Sequence, residues 1–143
     1  LFDTFLSDDR KKMLFHSHSF TANPMACAVS LASLDILEKP ETWENLARIQ
    51  ASHETWSATQ TDHPVIKNLR VKGTIIALEL VDGEENGYMH SVRDDAYQYF
   101  LKKGILLRPL GNTLYILPPY CISNEELQII YSEIESFAAG LIR

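Results

Sequence analysis

With 143 residues, the chain has the length of one domain and is long enough to bury a hydrophobic core. Its formal net charge of -6 argues against nucleic acid as a partner, because the sequence has no basic stripe that would neutralise phosphates. No apolar run approaches the length of a membrane span and no signal peptide is visible, so we expect a cytoplasmic protein that does not enter a membrane.

The chain opens with a predicted short helix or turn over residues 1–12, followed by a polar loop and a helix over residues 24–38. Asn23 is a preferred N-cap residue, and Pro24 suits the first helical position because its missing N–H costs nothing there. The helix is small and apolar on most of its surface. This predicts that it is closely buried, with Cys27 as a core residue.

The loop over residues 15–23 is rich in hydroxyl side chains and leads directly to this helix N-terminus. Free backbone N–H groups and partial positive charge suit an anion there, although a capped helix with nothing bound explains the same pattern. His16 and His18 would share one face of a strand and could hold zinc. No third ligand is evident nearby, so we predict no metal site.

Helical spacing resumes after Pro40 and predicts an amphipathic helix over residues 41–60. Its buried face would consist of Trp43, Leu46, Ile49, His53 and Trp56. We interpret the two tryptophans as packing residues rather than as a cofactor platform. A β-branched apolar run over residues 74–80 then predicts a well-covered strand.

The last part of the chain predicts a helix that ends at Gly104, two short strands and a final helix. The strands, residues 105–108 and 113–117, would pair across a turn at residues 109–112. Ser123 and Glu126 form a capping box, and the buried face of the final helix would be Leu127, Ile130, Tyr131, Ile134 and Phe137. The order of elements predicts an α/β fold, a small sheet with helices packed on it.

Arg108 is the sharpest single candidate for a functional residue. It would end a buried apolar strand, where a guanidinium must find an anionic or carbonyl partner. That partner is either an acidic side chain of the protein or the carboxylate of a substrate, which guanidinium geometry suits. Tyr115, on the following strand, either lines the same site or is a packing residue.

Three segments resemble the class III, pyridoxal-phosphate-dependent aminotransferases. They are His-Ser-His-Ser-Phe-Thr-Ala-Asn-Pro-Met-Ala-Cys-Ala at 16–28, the strand at 71–80, and the block from Gly-Ile-Leu-Leu-Arg-Pro to Pro-Pro-Tyr-Cys-Ile-Ser at 104–123. The third segment is the most specific and is similar to the branch of the family that acts in biotin biosynthesis. The resemblance implies the C-terminal small domain of a fold-type I transferase, a small, mainly antiparallel sheet packed with helices.

The resemblance also assigns roles to individual residues. It implies that Ser19, with the backbone of His18 beside it, binds the cofactor phosphate of the other subunit of a homodimer. Some family members have Pro-Thr at this pair, so His18 and Ser19 are a variant of the pattern. Arg108 would hold the carboxylate of the keto-amine substrate, with Tyr115 nearby in the substrate site.

The family's Schiff-base lysine matches no lysine of this chain, so the resemblance places no catalytic residue here. We therefore expect residues 1–143 to be the C-terminal portion of a longer enzyme and to be inactive alone. Within this single domain, residues 1–40 would be a loop and helix that link from the large domain, and residues 41–143 would form the small domain.

The implied activity is amino transfer to 8-amino-7-oxononanoate, giving 7,8-diaminononanoate, with S-adenosylmethionine as the amino donor and pyridoxal 5'-phosphate as the cofactor. Another class III ω-aminotransferase, acting on ornithine, 4-aminobutyrate or a similar amine, is the nearest alternative. A non-enzymatic α/β module that binds a partner protein is an alternative of a different kind.

Overall fold

The computed structural model describes residues 2–12, 23–81 and 92–142. The chain divides into two compact units, Leu1–Lys39 and Pro40–Arg143, and each is described by itself. Within the described residues, no helix is both long enough and apolar enough to cross a bilayer.

The first unit contains helix α1 (Phe2–Phe5), a 3₁₀ helix (Arg10–Lys12) and helix α2 (Pro24–Leu37). The predicted N-cap is confirmed, because the Asn23 side chain accepts hydrogen bonds from the backbone N–H groups of Met25 at 3.0 Å and Ala26 at 3.3 Å. These bonds satisfy two donors that a helix N-terminus otherwise leaves unpaired.

The predicted burial of α2 is wrong. None of its residues is buried, and Cys27, expected in the core, is exposed. Burial requires a second apolar surface, and the described residues of the first unit provide only two short helices besides α2. The exposed apolar side chains of α2 are Met25, Val29, Leu31, Leu34 and Ile36.

The second unit is built on a three-stranded antiparallel sheet in the order β1-β2-β3. The strands are β1 (Ile66–Lys72), β2 (Ile75–Leu80) and β3 (Thr113–Ile116), and the helices are α3 (Pro40–Thr59), α4 (Val92–Lys102) and α5 (Asn124–Ala139). Gly73, with φ of +56°, makes the turn between β1 and β2, where an L side chain would be strained. The predicted α/β class, a small antiparallel sheet with helices, is confirmed.

One predicted strand is absent, and one strand of the sheet was not predicted. Residues 105–108 form no strand, and β3, their predicted partner, pairs with β2 through Ile76↔Ile116 and Leu78↔Leu114. Strand β1, which we did not predict, carries a bulge between Lys67 and Arg70 and follows no simple alternation of polar and apolar residues. Strand pairing is a non-local interaction, so local patterns do not determine which segments join a sheet.

The core lies between the sheet and the helices. Alternate residues of β2 are buried, as the two-residue period of a strand requires. Four of the five residues predicted for the buried face of α5 are buried, whereas Ile130 is only partly buried. In α3, Ile49, His53 and Trp56 are buried as predicted, and Trp56 stacks on Tyr131 at 4.7 Å between ring centroids. The prediction for Trp43 is wrong, since it is 59% exposed.

His53 is a buried polar residue that connects three elements. Its Nδ1 lies 2.6 Å from the Tyr131 hydroxyl on α5, and its Nε2 lies 3.1 Å from the carbonyl oxygen of Thr74 at the β1–β2 turn. Since a carbonyl only accepts, Nε2 carries the proton and Nδ1 accepts from Tyr131. Burial lowers the pKa of His53, and the hydrogen bond to Thr74 opposes this shift.

Predicted signals at helix ends are confirmed at both α4 and α5. Ser123 Oγ accepts from the Glu126 N–H at 3.1 Å, and a Glu126 carboxylate oxygen accepts from the Ser123 N–H at 2.8 Å. Gly104 follows α4 with φ of +76°, and the Ile105 N–H donates to the Phe100 carbonyl at 2.9 Å. This six-residue return is a Schellman motif, which turns the chain toward Arg108.

Candidate functional site

A cleft of about 710 Å³ lies in the second unit and is hereafter the large cleft. One side is the segment that follows α4, another is β3 with the proline segment after it, and the third is the first two turns of α5. Most of its lining is aliphatic or proline, and its charged side chains are Lys103, Arg108 and Glu126. A mostly apolar cavity with few polar groups is the usual form of a small-molecule site.

Arg108 lines the large cleft from the segment that follows α4. Leu107 and Pro109 are buried and anchor the segment, whereas Leu106 and Arg108 are exposed and face outward. Our prediction that Arg108 is buried at the end of a strand is wrong. Residues 105–108 form no strand, and Arg108 is exposed.

The other two charged side chains of the large cleft already have partners. Lys103 Nζ lies 3.1 Å from a Glu133 carboxylate oxygen, and this hydrogen bond raises the pKa of Lys103. Glu126 accepts from the Ser123 N–H in the capping box. Arg108 makes no hydrogen bond or ion pair with any residue that the structure describes. It is therefore the charged group of this cleft that is available to an anionic ligand.

Tyr115 lines the same cleft from β3. Its neighbours Leu114 and Ile116 are buried, while Tyr115 is only partly buried, and its register partner on β2 is Ala77. The small partner leaves the ring accessible on the face opposite the core. The structure thus brings together Arg108 and Tyr115, two residues that the sequence analysis singled out separately.

The predicted phosphate-binding residues His18 and Ser19 lie outside the described residues, as does His16. What the structure describes near them is the capped N-terminus of α2, which begins immediately after Asn23.

The apolar walls of the large cleft were not predicted from the sequence. Leu106, Leu117 and Ile129 line it and are 77%, 61% and 57% exposed. The sequence does mark Ile129 as an exposed apolar residue, because it lies outside the spacing of the buried residues of α5. The sequence gives no such signal for Leu106 and Leu117, because each lies in an apolar run of the kind that is usually buried.

All of the lysines are exposed, and Lys103, which borders the large cleft, is paired with Glu133. The large cleft suits a carboxylate ligand with an apolar body.

Comparison with known proteins gives a consistent family match. The sequence matches the family described as aminotransferase class-III over residues 4–137. It is 38% identical over 134 residues to an adenosylmethionine-8-amino-7-oxononanoate aminotransferase of Synechococcus elongatus, covering 94% of this chain and 31% of that protein. A protein of the same name from Helicobacter pylori is 34% identical, with 84% of this chain and 28% of that protein covered.

Solved structures show the same fold. The adenosylmethionine-8-amino-7-oxononanoate aminotransferase of Methanocaldococcus jannaschii superposes with a TM-score of 0.75 at 25% identity, covering 97% of this chain and 33% of that one. An omega transaminase of Pseudomonas jessenii, solved in complex with PMP, gives 0.76 at 22% identity over 90% of this chain and 29% of that one. The chain spans about a third of the length of the relatives it matches.

Proposed function

Because the chain belongs to the class III aminotransferase family, we propose that it is the acceptor-binding part of a pyridoxal-phosphate-dependent transaminase. The complete enzyme converts 8-amino-7-oxononanoate to 7,8-diaminononanoate, with S-adenosylmethionine as the amino donor. Relatives of that name, from several bacteria and an archaeon, support this choice of substrate. In this enzyme, residues 41–143 form the small domain and residues 1–40 link it to the large domain.

The observation that carries the proposal is Arg108, an unpaired guanidinium at an apolar cleft. The acceptor has a carboxylate at one end of a methylene chain and its reacting ketone near the other end. Arg108 binds the carboxylate through charge-assisted hydrogen bonds, and Leu106, Leu117 and Ile129 contact the chain. Tyr115 borders the same cleft and limits where the carboxylate can lie.

Arg108 orients the substrate and takes no part in bond making. Transamination exchanges the amino group of the donor for the ketone oxygen of the acceptor, and the acceptor's carboxylate is unchanged. Pyridoxal phosphate, when bound, supplies the carrier for that amino group between the two half-reactions. Holding the far end of the acceptor restricts where its ketone can lie relative to the amino group that is transferred, which is a proximity effect.

The cofactor's own contacts in this chain would come from the loop before α2. We propose that Ser19 and the backbone of His18 bind the cofactor phosphate of the partner subunit in a homodimer. The N-terminus of α2 supports this location, since the partial positive charge of a helix N-terminus favours a phosphate nearby.

The test is made on the complete enzyme that carries this chain. We expect its gene to restore growth without biotin to a strain that lacks this transaminase. In the purified enzyme, Arg108→Gln should raise the KM for 8-amino-7-oxononanoate about 10- to 100-fold, the worth of hydrogen bonds to a charged group. Arg70→Gln is a matched control, because Arg70 is an exposed guanidinium that does not line the cleft and is paired with Glu79.

Two results would contradict the proposal. Failure to support growth, together with activity on ornithine or 4-aminobutyrate, would assign the enzyme to another branch of the family. An unchanged KM in Arg108→Gln would remove Arg108 from the acceptor site.

A further inference from the structure

A second cavity of about 360 Å³, hereafter the small cavity, lies on the other side of Arg108. It is formed by the first turns of α4 and the segment after that helix. Its lining is Arg93, Asp94, Tyr97, Leu106, Arg108 and Pro109. Arg108 and Leu106 belong to both cavities, so a ligand held by Arg108 is within reach of the side chains of α4.

Arg93 and Tyr97 present further donors to the small cavity. They are four residues apart on α4 and therefore lie on the same helix face. The Tyr97 hydroxyl has no hydrogen-bond partner among the residues that the structure describes. Among the described residues, the carboxylate that pairs with Arg93 is that of Asp94, whose Oδ1 lies 3.7 Å from Nη1.

The contact between Arg93 and Asp94 leaves most of the guanidinium free. The two side chains are 42% and 86% exposed and the distance is long, which is the geometry of a weak surface pair. The small cavity thus holds two guanidinium groups and a single carboxylate. One bound monoanion would balance its charge and relieve the repulsion between the two arginines.

We infer that Arg93 and Tyr97 bind the acceptor's carboxylate together with Arg108, so that the small cavity holds the charged end of the substrate. This inference rests on the proposed function. The methylene chain then passes Leu106, the apolar residue common to both cavities, into the large cleft. The ligand class that fits is a monocarboxylate with a long aliphatic body, because a dianion would exceed the charge of the lining.

The test compares the acid with its methyl ester as the acceptor for the complete enzyme. In Arg93→Gln, we expect the KM for the acid to rise about tenfold and the KM for the ester to stay constant, so that the preference for the acid collapses. Arg93→Lys should recover part of the preference, because it restores the charge without the planar fork. Tyr97→Phe should show a smaller change of the same kind. A merely structural role would alter both KM values together.

Outcomes for Arg93 and for the proposed function can be separated. If Arg93→Gln keeps the acid preference of the wild type while Arg108→Gln loses it, the inference is wrong and the role of Arg108 stands. If both variants keep the preference, the carboxylate lies elsewhere and both statements fail. An enzyme that does not convert the acid at all overturns the proposed function and this inference with it. Arg70→Gln is again the control that should resemble the wild type.

Discussion

Helices α2 and α5 begin with the same kind of N-cap, but α2 is exposed and α5 is buried on one face. Each has a polar N-cap whose side chain accepts from the first turn, Asn23 in α2 and Ser123 in α5. Yet α5 buries five residues and α2 buries none. Capping requires only neighbours in sequence, whereas burial requires a surface that another part of the molecule provides. The start of a helix can therefore be predicted locally, and its burial cannot.

The largest expected difference is in side-chain truncation. Ile134→Ala on α5 should lower the free energy of unfolding by about 2–5 kcal/mol, because Ile134 is fully buried and the change leaves a cavity. Leu34→Ala on α2 should change it by less than about 0.5 kcal/mol, since Leu34 is 52% exposed. Urea unfolding followed by far-UV circular dichroism measures both, and equal losses would contradict the comparison.

The polar contact between α5 and α3 should make stability depend on pH. Burial lowers the pKa of His53, so the unfolded chain binds a proton more readily than the folded chain does. The free energy of unfolding should therefore be highest above the ordinary histidine value of 6.5 and fall as the pH drops below it toward the lowered pKa. His53→Gln should flatten this dependence in urea unfolding across the same pH range. A variant with the wild-type slope would show that other groups cause it.

Replacing an N-cap side chain should change the free energy of unfolding less than truncating a buried side chain does. Ser123→Ala should cost about 1 kcal/mol of unfolding free energy, because α5 is part of the cooperative core. Asn23→Ala should reduce the helical signal of α2 and leave the unfolding midpoint of the second unit unchanged. The fluorescence of Trp43 and Trp56, both in α3, reports on that unit. A shift of its midpoint in Asn23→Ala would show that α2 is coupled to the core.

The last prediction is that added cofactor does not change the absorbance spectrum of this chain through a lysine adduct. Pyridoxal phosphate added to this chain alone should give no stable absorbance band of a lysine-bound cofactor, because every lysine of the chain is exposed. A stable band, lost when a single lysine is replaced, would place the reactive amine within these residues after all.

Much of the fold could be predicted from the sequence because its signals are local. Asn23 with Pro24, the Ser123–Glu126 box and Gly104 each mark a helix end through contacts within a few residues, and the structure confirms all three. The family resemblance found in residues 16–28, 71–80 and 104–123 is likewise confirmed by the match over residues 4–137.

The failures concern contacts between distant parts of the chain. Residues 105–108 have the composition of a strand, but their predicted partner, β3, pairs with β2 instead, with Ile116 beside Ile76. In β1, Val71 lies between two charged residues after the bulge, whereas Asn68 and Leu69 lie within the bulge and interrupt the alternation. Arg108 was found as a site candidate for a reason that proved wrong, since it is exposed rather than buried. The residue type alone made Arg108 a candidate, and the buried environment predicted for it was wrong.

The central claim is that Arg108 binds the carboxylate of the amino acceptor. A crystal structure of the complete enzyme with 8-amino-7-oxononanoate measures this directly. We expect carboxylate oxygens about 2.7–2.9 Å from the Arg108 guanidinium nitrogens, the usual length of charge-assisted hydrogen bonds. A carboxylate bound elsewhere, with Arg108 paired to an acidic side chain of the protein, would contradict the account.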